Sequence, residues 1–482
     1  MIPTDNLDAL DLTILSTEDH ALAARHAPRI RFDAREPFLP SVVGYTVFYE
    51  DAPSPSFPRQ ITLPPGASCA VEYAVWWDWD IEHLYELEHI WVYVDGAGNV
   101  VDGEASWHGG YFPMVDEHGA PPIEDGRLTV YSEPGKHAFA ASPRRLHERA
   151  ANTRRSCTTH AGHMCVHVTP LFDGVIQERR PLANRLVHTY LERFAFTPSY
   201  EFSQVFDLDV CAFVPWENLR AWIPKQVAWW VGRLRATIPP HEQRVLRIAH
   251  RGASAYAQEN SLAAFRKAAE LGADMVEIDI RATADGVPVV SHDSSLKRVF
   301  GVEGNVGDYT LSQLRALTPA DREPIPTLEE VAAECRQLDL GLYLDIKELT
   351  APVAAAIVES LDRHHLTRYS IAGSFRADWL AEIKANFPQI ATSILFASVH
   401  VDPVLLARSI NCDYVHPCWE SKTPEPHRLL TPAWIEKVRA ADLGIICWHE
   451  ERPSEIAALQ ALGVDGICSD QPELLVPPAR RA

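Results

Sequence analysis

The sequence predicts a protein of two domains, a mainly-β N-terminal domain and a C-terminal α/β domain. Residues 1–235 contain short apolar runs separated by Pro, Gly and Asp, which is the pattern of an antiparallel β domain. From residue 244 onwards, apolar runs of strand length alternate with amphipathic stretches of helix length. A chain of 482 residues can bury a separate core in each domain, and Thr237–Pro240 has the composition of a linker between them.

The N-terminal domain, residues 1–235, is predicted to be a β-sandwich with helices at its C-terminal end. Its strand-like runs, with turn signals such as Asp95–Asn99 between them, are Val42–Tyr49, Ala70–Trp77, His89–Val94, Leu128–Tyr131 and Cys165–Thr169. Helical patterns follow at Leu182–Phe194 and in the Trp-rich stretch Trp216–Leu234, which we expect Pro224 to interrupt. We expect this domain to bind a ligand rather than to catalyse a reaction.

The C-terminal domain, residues 244–477, is predicted to be a (β/α)8 TIM barrel. Its strand-like runs are Leu246–His250, Met275–Ile280, Val287–Ser291, Leu342–Ile346, Ser370–Gly373, Thr392–Phe396, Tyr414–His416, Gly444–Trp448 and Gly466–Cys468. Helical stretches lie between them at Leu262–Leu271, Leu328–Leu338, Val353–His364, Trp379–Phe387, Pro432–Ala441 and Ser454–Leu462. This alternation indicates parallel strands, and an eight-stranded barrel makes Val287–Ser291 an addition.

Composition disfavours several classes of function. The formal net charge of −21 argues against nucleic acid as the main partner, because that needs a basic surface. The N-terminal sequence does not resemble a secretory signal, and apolar runs stay below the ~18 residues of a membrane span. Nine cysteines, an odd number spread over the chain, suit reduced thiols. We therefore expect a soluble cytoplasmic protein without a transmembrane segment, and the sequence leaves its oligomeric state open.

Three carboxylates in two apolar strands predict a cation site. Glu277 and Asp279 are two residues apart, so in a strand both side chains lie on one face. Asp345 ends another apolar run and offers a third oxygen ligand. Buried like charges are costly unless a cation or proton neutralises them. An all-oxygen set without cysteine suits a hard divalent cation, Mg²⁺ or Ca²⁺.

Histidines and basic residues near the same strand ends predict phosphodiester chemistry. His250 and His292 can transfer protons near neutral pH, and the sequence leaves open which is the acid and which the base. Arg251 and Lys347 can contact phosphate oxygens. Glu259 could orient His250 or act as a further metal ligand. Asn260 could simply cap the helix that follows.

The C-terminal half resembles the glycerophosphodiester phosphodiesterase family. The resemblance lies in His250–Gly252, Glu259–Ser261, Gly272–Asp279, Thr283–Gly286, His292-Asp293, Ile325–Glu330, Asp345–Lys347, Trp448 and Gly463–Pro472. These motifs extend from about Arg244 to Leu475 in the family's order.

The resemblance implies a role for each residue of the barrel site. The metal ligands would be Glu277, Asp279 and Asp345, with Glu259 possible, and the acid/base pair would be His250 and His292. Phosphate contacts would come from Arg251 and Lys347, and a substrate-pocket aromatic from Trp448. The chain departs from the family at Asp345, where Glu is frequent, and after Trp448, where His449–Glu451 replaces a Thr-Val-Asn-like run.

The N-terminal half resembles the sandwich of the necrosis- and ethylene-inducing peptide-like proteins. The resemblance lies in Asp78–Asp95, Ser106–Gly109 and Ser132–Ala138. It implies a second metal site at His83, Glu86 and Glu88, with Asp78 or Asp80 as a further candidate. The alternative, polar residues on an exposed strand and loop, remains open.

These observations together favour a metal-dependent hydrolase in glycerol and lipid metabolism. The favoured reaction is hydrolysis of a glycerophosphodiester to sn-glycerol 3-phosphate and an alcohol. One alternative is a phosphodiesterase acting on lysophospholipid or sphingolipid headgroups. Another is a non-catalytic protein that binds a headgroup.

Overall fold

The computed structural model describes residues 6–116 and 118–476, so the outermost ends of both predicted domains lie outside the described residues. The described residues form two compact units, one within residues 6–179 and 183–239 and the other within residues 180–182 and 240–476. Among the described residues there is no helix with both the length and the apolar composition that crossing a membrane requires.

The first unit is mainly β. In chain order its strands are β1 (Arg29–Phe32), β2 (Val42–Phe48), β3 (Ala52–Pro53), β4 (Gln60–Ile61), β5 (Ala67–Trp79), β6 (His83–Asp95), β7 (Val100–Trp107), β8 (Gly110–Pro113), β9 (Ile123–Glu124), β10 (Arg127–Ser132), β11 (Phe139–Ala140), β12 (Cys165–Val166), β13 (Gln204–Asp207) and β14 (Ala212–Pro215). One sheet has the order β14-β2-β5-β6-β7-β8, with β12 beside β6; the other is β11-β10-β1-β13, with β9 beside β10. Strands β3 and β4 pair separately.

The two sheets contact each other through buried side chains. The Trp77 ring in β5 lies 6.5 Å from the Phe32 ring in β1 and 6.1 Å from the Phe139 ring in β11. Gly103 in β7 faces Leu128 in β10, and a Cβ atom at this glycine would lie 2.5 Å from a Leu128 methyl carbon. A larger residue at position 103 would therefore push the sheets apart.

The helices up to residue 237 are α1 (Thr17–Arg25), α2 (Pro143–Glu148), α3 (Ala150–Cys157), α4 (Pro181–Leu191) and α5 (Trp216–Thr237). The prediction that Pro224 interrupts the Trp-rich segment is wrong, because α5 continues through it. The buried face of α5 includes Trp222, whose ring lies 5.9 Å from that of Trp76 in β5. Such packing provides a reason for the helix to tolerate one lost backbone hydrogen bond.

The second unit is the predicted barrel. Its strands are β15 (Leu246–Ala249), β16 (Met275–Ala282), β17 (Pro288–Val290), β18 (Gly341–Ile346), β19 (Ser370–Ser374), β20 (Ala391–Phe396), β21 (Tyr414–Pro417), β22 (Gly444–Cys447) and β23 (Gly466–Ser469). Eight parallel strands follow the order β15-β23-β22-β21-β20-β19-β18-β16, and β16 pairs with β15 to close the barrel. Strand β17 pairs antiparallel with β16 outside this ring, which confirms that Val287–Ser291 is an addition.

Helices surround the barrel strands. They are α6 (Leu262–Glu270), α7 (Lys297–Phe300), α8 (Leu311–Leu317), α9 (Leu328–Leu338), α10 (Ala351–Arg363), α11 (Ala377–Asn386), α12 (Pro403–Ser409), α13 (Pro432–Ala440) and α14 (Pro453–Ala461). Helix α9 begins at a capping box in which Thr327 and Glu330 exchange hydrogen bonds. The interior holds a separate apolar cluster that includes Ile248, Tyr343 and Ile446. This packed interior leaves the carboxyl ends of the strands as the place for a site.

Candidate active site of the barrel

The three predicted metal-ligand carboxylates lie together at adjacent strands of the barrel. Glu277 and Asp279 are in β16, and Asp345 in β18 pairs directly with Asp279 in the strand register. Their exposed fractions are 2%, 0% and 1%, and one oxygen of each lies within 4.8 Å of the others. Glu277 Oε1 and Asp345 Oδ1 accept no hydrogen bond from any residue in the described part of the chain. Unpaired buried oxygens that converge in this way fit a bound cation.

The basic residues near the three carboxylates neutralise only part of their negative charge. Burial, with Asp279 and Asp345 nearby, raises the pKa of Glu277 well above its usual value. Burial and Asp279 likewise raise the pKa of Asp345 to about 6. Burial also disfavours the charged form of Asp279, but Lys347 and Arg251 outweigh it and lower the pKa of this carboxyl. The two basic side chains thus neutralise the group only in part.

Arg251 and Lys347 lie against this cluster, as the sequence predicts. Lys347 Nζ forms a hydrogen bond with Asp345 and lies 3.2 Å from Asp279 Oδ1. The Arg251 backbone N–H donates to Glu277 at 2.9 Å, and its Nε lies 3.4 Å from Asp279 Oδ2. Arg251 has a φ of 57°, in the left-handed region that residues other than glycine rarely adopt. Backbone strain of this kind is concentrated at functional sites.

His250 directly follows β15 and is almost fully buried. Its Nδ1 forms a 2.7 Å hydrogen bond with Asp470 Oδ1. The His449 ring stacks on the His250 ring at 4.6 Å and 11°, and the Trp448 ring meets it edge-on at 5.6 Å. Burial lowers the pKa of His250 despite the hydrogen bond to Asp470. The ring is therefore held on three sides, and burial favours its neutral form.

His292 follows β17 and is more accessible, with 32% of its side chain exposed. Its Nδ1 forms a 2.7 Å hydrogen bond with Asp293, which in turn pairs with Arg298. His292 is close enough to Asp279 and Asp345 to favour the charged form of both carboxyls, although burial still raises the pKa of Asp345. The structure thus brings both predicted histidines to the carboxylate cluster, and each is bonded to an aspartate.

Glu259 lies apart from the three-carboxylate group and pairs with two arginines. Arg298 donates to it at 2.6 and 2.9 Å, and Arg251 Nη1 donates at 3.3 Å. These contacts lower the pKa of Glu259 in spite of partial burial. With its oxygens bonded to guanidinium groups, Glu259 fits a residue that anchors Arg251 better than a metal ligand.

Asn260 is not the cap of the helix that follows, which corrects the interpretation of this residue as a helix cap. Ser261 caps α6 by accepting a hydrogen bond from the Ala264 backbone N–H. Asn260 has a φ of 56° and donates from its side chain to Asp279 Oδ2 at 2.9 Å. It therefore supports one of the proposed metal ligands from the side.

Trp448 lies beside the cluster at the end of β22. Lys347 Nζ is 5.5 Å from the centre of its ring, and the exposed Phe375 ring lies 6.1 Å away. A half-exposed aromatic pair of this kind offers an apolar surface next to the basic residues. This position agrees with a substrate-pocket aromatic, and the role itself stays a prediction.

The N-terminal candidate metal site differs in one residue from its prediction. Asp80, His83 and Glu86 bring one ligand atom each within 4.8 Å of one another. Glu88 instead forms a hydrogen bond with Ser106 on the neighbouring strand. The backbone N–H of Asp80 donates to the His83 carbonyl at 3.0 Å, and this turn brings Asp80 to the cluster.

A lysine side chain already supplies positive charge to this second cluster. Lys136 Nζ lies 3.0 Å from Asp80 Oδ1 and 2.7 Å from Glu82 Oε2. Burial raises the pKa of Glu86 well above its usual value, with Glu88 and Asp80 adding to the effect. Asp78, the other candidate, accepts hydrogen bonds from Trp76 and Gln226 instead.

Sequence reasoning missed three residues of the barrel site, namely Asp470, Arg298 and His449 as a partner of His250. Asp470 directly follows the last barrel strand, β23, so the strand-end rule could have indicated it. Arg298 lies in the short helix α7 and carries no comparable signal. Its role depends on how the chain folds back onto Glu259.

Comparison with known proteins agrees with this geometry. Residues 250–474 match the glycerophosphoryl diester phosphodiesterase family. A glycerophosphodiester phosphodiesterase from Caldanaerobacter subterraneus subsp. tengcongensis is 30% identical over 243 residues, which cover 48% of this chain and 97% of the relative. Human glycerophosphodiester phosphodiesterase 1 is 44% identical over 161 residues, 31% of this chain and 49% of the relative.

Solved structures of similar proteins are also found. The glycerophosphodiester phosphodiesterase from Thermotoga maritima is 29% identical with a TM-score of 0.41, and the match covers 48% of this chain and 96% of that one. An Oleispira antarctica phosphodiesterase, solved in complex with the product sn-glycerol-3-phosphate, is 27% identical with a TM-score of 0.41, over 47% of this chain and 94% of that one.

Members of the matched family generally depend on a divalent metal, and the acidic clusters of this structure could bind one. The match to the Caldanaerobacter relative extends over almost the whole of that protein. The chain therefore belongs to the glycerophosphoryl diester phosphodiesterase family and is a phosphoric diester hydrolase.

Proposed function

We propose that the barrel hydrolyses glycerophosphodiesters to sn-glycerol 3-phosphate and an alcohol, with a divalent cation held by Glu277, Asp279 and Asp345. One observation carries the proposal: a buried three-carboxylate cluster with unpaired oxygens lies beside two histidines, each bonded to an aspartate. This combination supplies both proton transfer and stabilisation of negative charge at a phosphate.

The residues present fit a hard cation. All three ligands offer carboxylate oxygen, the ligand type that Mg²⁺ and Ca²⁺ prefer. When bound, such a cation would act as a Lewis acid that stabilises negative charge on the phosphate oxygens. The unpaired Glu277 Oε1 and Asp345 Oδ1 support this use of the site. A comparison of turnover with Mg²⁺ and with Ca²⁺ distinguishes the two cations.

The protein's own residues would supply the remaining chemistry. One histidine of the pair His250 and His292 takes a proton from the attacking water, or from a glycerol hydroxyl that first forms a cyclic phosphate, and the other gives a proton to the departing alcohol. In the second case a water then opens the cyclic phosphate, with the two histidines in exchanged roles, so both routes end at sn-glycerol 3-phosphate. Arg251 and Lys347 balance the charge that develops on the phosphate in the transition state. The contact between Lys347 and Trp448 keeps this ammonium group beside an apolar wall.

The test is release of sn-glycerol 3-phosphate from glycerophosphocholine and glycerophosphoethanolamine, with Mg²⁺, Ca²⁺ or EDTA. We expect turnover that requires the cation and that falls about 10²- to 10⁴-fold in His250→Ala. The matched control is His241→Ala, because His241 is exposed and precedes β15, at the end of that strand away from His250.

Two other outcomes would replace this proposal. Turnover only with lysophospholipid or sphingomyelin would indicate a phosphodiesterase for lipid headgroups. Cation binding without turnover of any of these substrates would indicate a headgroup-binding protein. Full activity in EDTA would contradict the role given to the three carboxylates.

We also propose that the N-terminal unit is a β-sandwich of binding type with a weaker cation site at Asp80, His83 and Glu86. The unpaired Asp80 Oδ2, which accepts no hydrogen bond from any of the described residues, supports this site. Lys136 competes for the same carboxylate and argues for low affinity. Calorimetric titration with Ca²⁺ or Mg²⁺ tests it, because Glu86→Gln should abolish a weak second binding event and leave the first unchanged.

A further inference from the structure

The hydrogen bond between His250 and Asp470 joins two neighbouring strand ends. Strands β15 and β23 are parallel neighbours in which Ala249 pairs with Ser469, so His250 and Asp470 are the next residues on each strand. His250 Nδ1 and Asp470 Oδ1 are 2.7 Å apart, although 220 positions separate the residues in sequence. Closure of the barrel therefore creates this pair.

Asp470 is itself held in place. Ser254 Oγ lies 2.8 Å from Asp470 Oδ1, and the Asp470 backbone N–H donates to Glu451 at 3.0 Å. Partial burial would raise the pKa of Asp470, but the hydrogen bonds from His250 and Ser254 lower it to about 2. The side chain is thus a carboxylate near neutral pH and can only accept hydrogen bonds.

An acceptor at Nδ1 determines where the proton of a neutral imidazole lies. Since Asp470 accepts, Nδ1 must carry the hydrogen, and Nε2 keeps the lone pair. His250 Nε2 is buried and has no hydrogen-bond partner among the described residues. A proton acceptor is consequently left free on a ring that is otherwise fixed.

The His449 ring packs against one face of the His250 ring. The two rings stack at 4.6 Å and 11°. Ligand atoms of His250, His449 and Asp470 lie within 4.8 Å of one another, but a metal ion lies near the plane of each imidazole that binds it. Two nearly parallel stacked rings do not share such a plane. The stack therefore favours ring orientation over chelation.

We infer that Asp470 is a positioning residue that holds His250 in the Nδ1–H tautomer, and that His449 packs against the ring to fix its orientation. The inference rests on the proposed function, because His250 must transfer a proton for its tautomer to matter. A carboxylate that holds a catalytic histidine in one tautomer contributes strongly to rate in other hydrolases. His449 replaces the family's usual residue after the tryptophan, so the stack distinguishes this chain from that pattern.

The first measurement is independent of turnover. In ¹⁵N-histidine spectra near pH 7.5, assigned by loss of the signal in His250→Ala, His250 should show a protonated Nδ1 and an unprotonated Nε2. In Asp470→Asn the amide can donate to Nδ1, so the Nε2–H tautomer should appear. A wild-type His250 already in the Nε2–H tautomer would overturn the inference.

The second measurement is kinetic. Asp470→Asn should lower kcat about 100-fold or more and leave KM within about 3-fold, because tautomer and not substrate contact is changed. His449→Phe keeps an aromatic stack and should retain most of the activity, whereas His449→Ala should lose more. Glu473→Gln is the matched control, since it changes an acid to an amide in the same C-terminal segment.

The outcomes separate this inference from the proposed function. A kcat for Asp470→Asn within about 5-fold of wild type, with an unchanged melting temperature, would reduce the hydrogen bond to a structural tie between β15 and β23. If the wild type turned over none of the glycerophosphodiesters, the proposed function would fail, and the spectra alone would decide the tautomer.

Discussion

The barrel cluster and the N-terminal cluster both bury a group of three potential ligands, but their histidines have different hydrogen-bond partners. In the barrel, His250 and His292 each bond to an aspartate. In the N-terminal unit, His83 bonds to the Tyr85 backbone carbonyl, and burial with Lys136 nearby lowers its pKa to about 3. Uptake of a proton is disfavoured at His83, because burial and Lys136 oppose the charged ring, whereas the aspartate at Nδ1 of His250 favours the charged ring that proton transfer forms. We therefore expect the hydrogen-bond partners of the histidines, rather than the acidic clusters, to distinguish a catalytic site from a binding site.

Loss of the more exposed barrel histidine should give the largest effect. We expect His292→Ala to lower kcat about 10²- to 10⁴-fold, because a general acid or base contributes a factor of this size. The measurement is the rate of glycerol 3-phosphate release with saturating cation, compared with His241→Ala. A loss of less than about 3-fold would remove His292 from the chemistry and weaken the contrast with His83.

The carboxylates allow a parallel comparison of the two clusters by cation affinity. Asp345→Asn keeps the shape of the side chain but removes its charge, and should weaken cation binding and turnover at least 10- to 100-fold, as loss of a ligand or its support does. Glu86→Gln should change only the weaker binding event. Calorimetry on both variants measures this, and a single binding event lost in Glu86→Gln but kept in Asp345→Asn would reverse the assignment.

The lysine of the N-terminal cluster should contribute strongly to the stability of its unit. Lys136 is buried and paired with Asp80 and Glu82, so Lys136→Met would leave buried carboxylates unpaired. We expect a loss of about 3–5 kcal/mol in the free energy of unfolding of the N-terminal unit. Chemical denaturation measures it, with the exposed Lys297→Met as the control that should stay within about 0.5 kcal/mol of wild type. If Lys136→Met lowered the free energy of unfolding no more than Lys297→Met, Lys136 would not be needed to neutralise the buried carboxylates of this cluster.

Local signals made the barrel predictable, and distant contacts limited the prediction of its site. The capping box at Thr327 and the apolar period after it define α9 at the predicted bounds, Leu328–Leu338. Helix α12, Pro403–Ser409, is only seven residues long and was not predicted. Asp470 reaches His250 only because the first and last barrel strands become neighbours. In the N-terminal unit, Glu88 turns to Ser106 on another strand, which alternation along one strand does not reveal.

A buried histidine outside both clusters should give the smallest effect and serve as a reference. His416 bonds to the Tyr343 hydroxyl at 2.7 Å, and burial with His250 nearby lowers its pKa to about 3. Its folded pKa is below the unfolded value of about 6.5, so its contribution to stability is complete above pH 6.5 and is lost as the pH falls towards 3. At pH 5.5 the loss should be about 1.4 kcal/mol. Denaturant titrations of wild type and His416→Gln between pH 7.5 and 5.5 measure it; equal slopes against pH would show that folding does not change the pKa of His416 and would contradict the prediction.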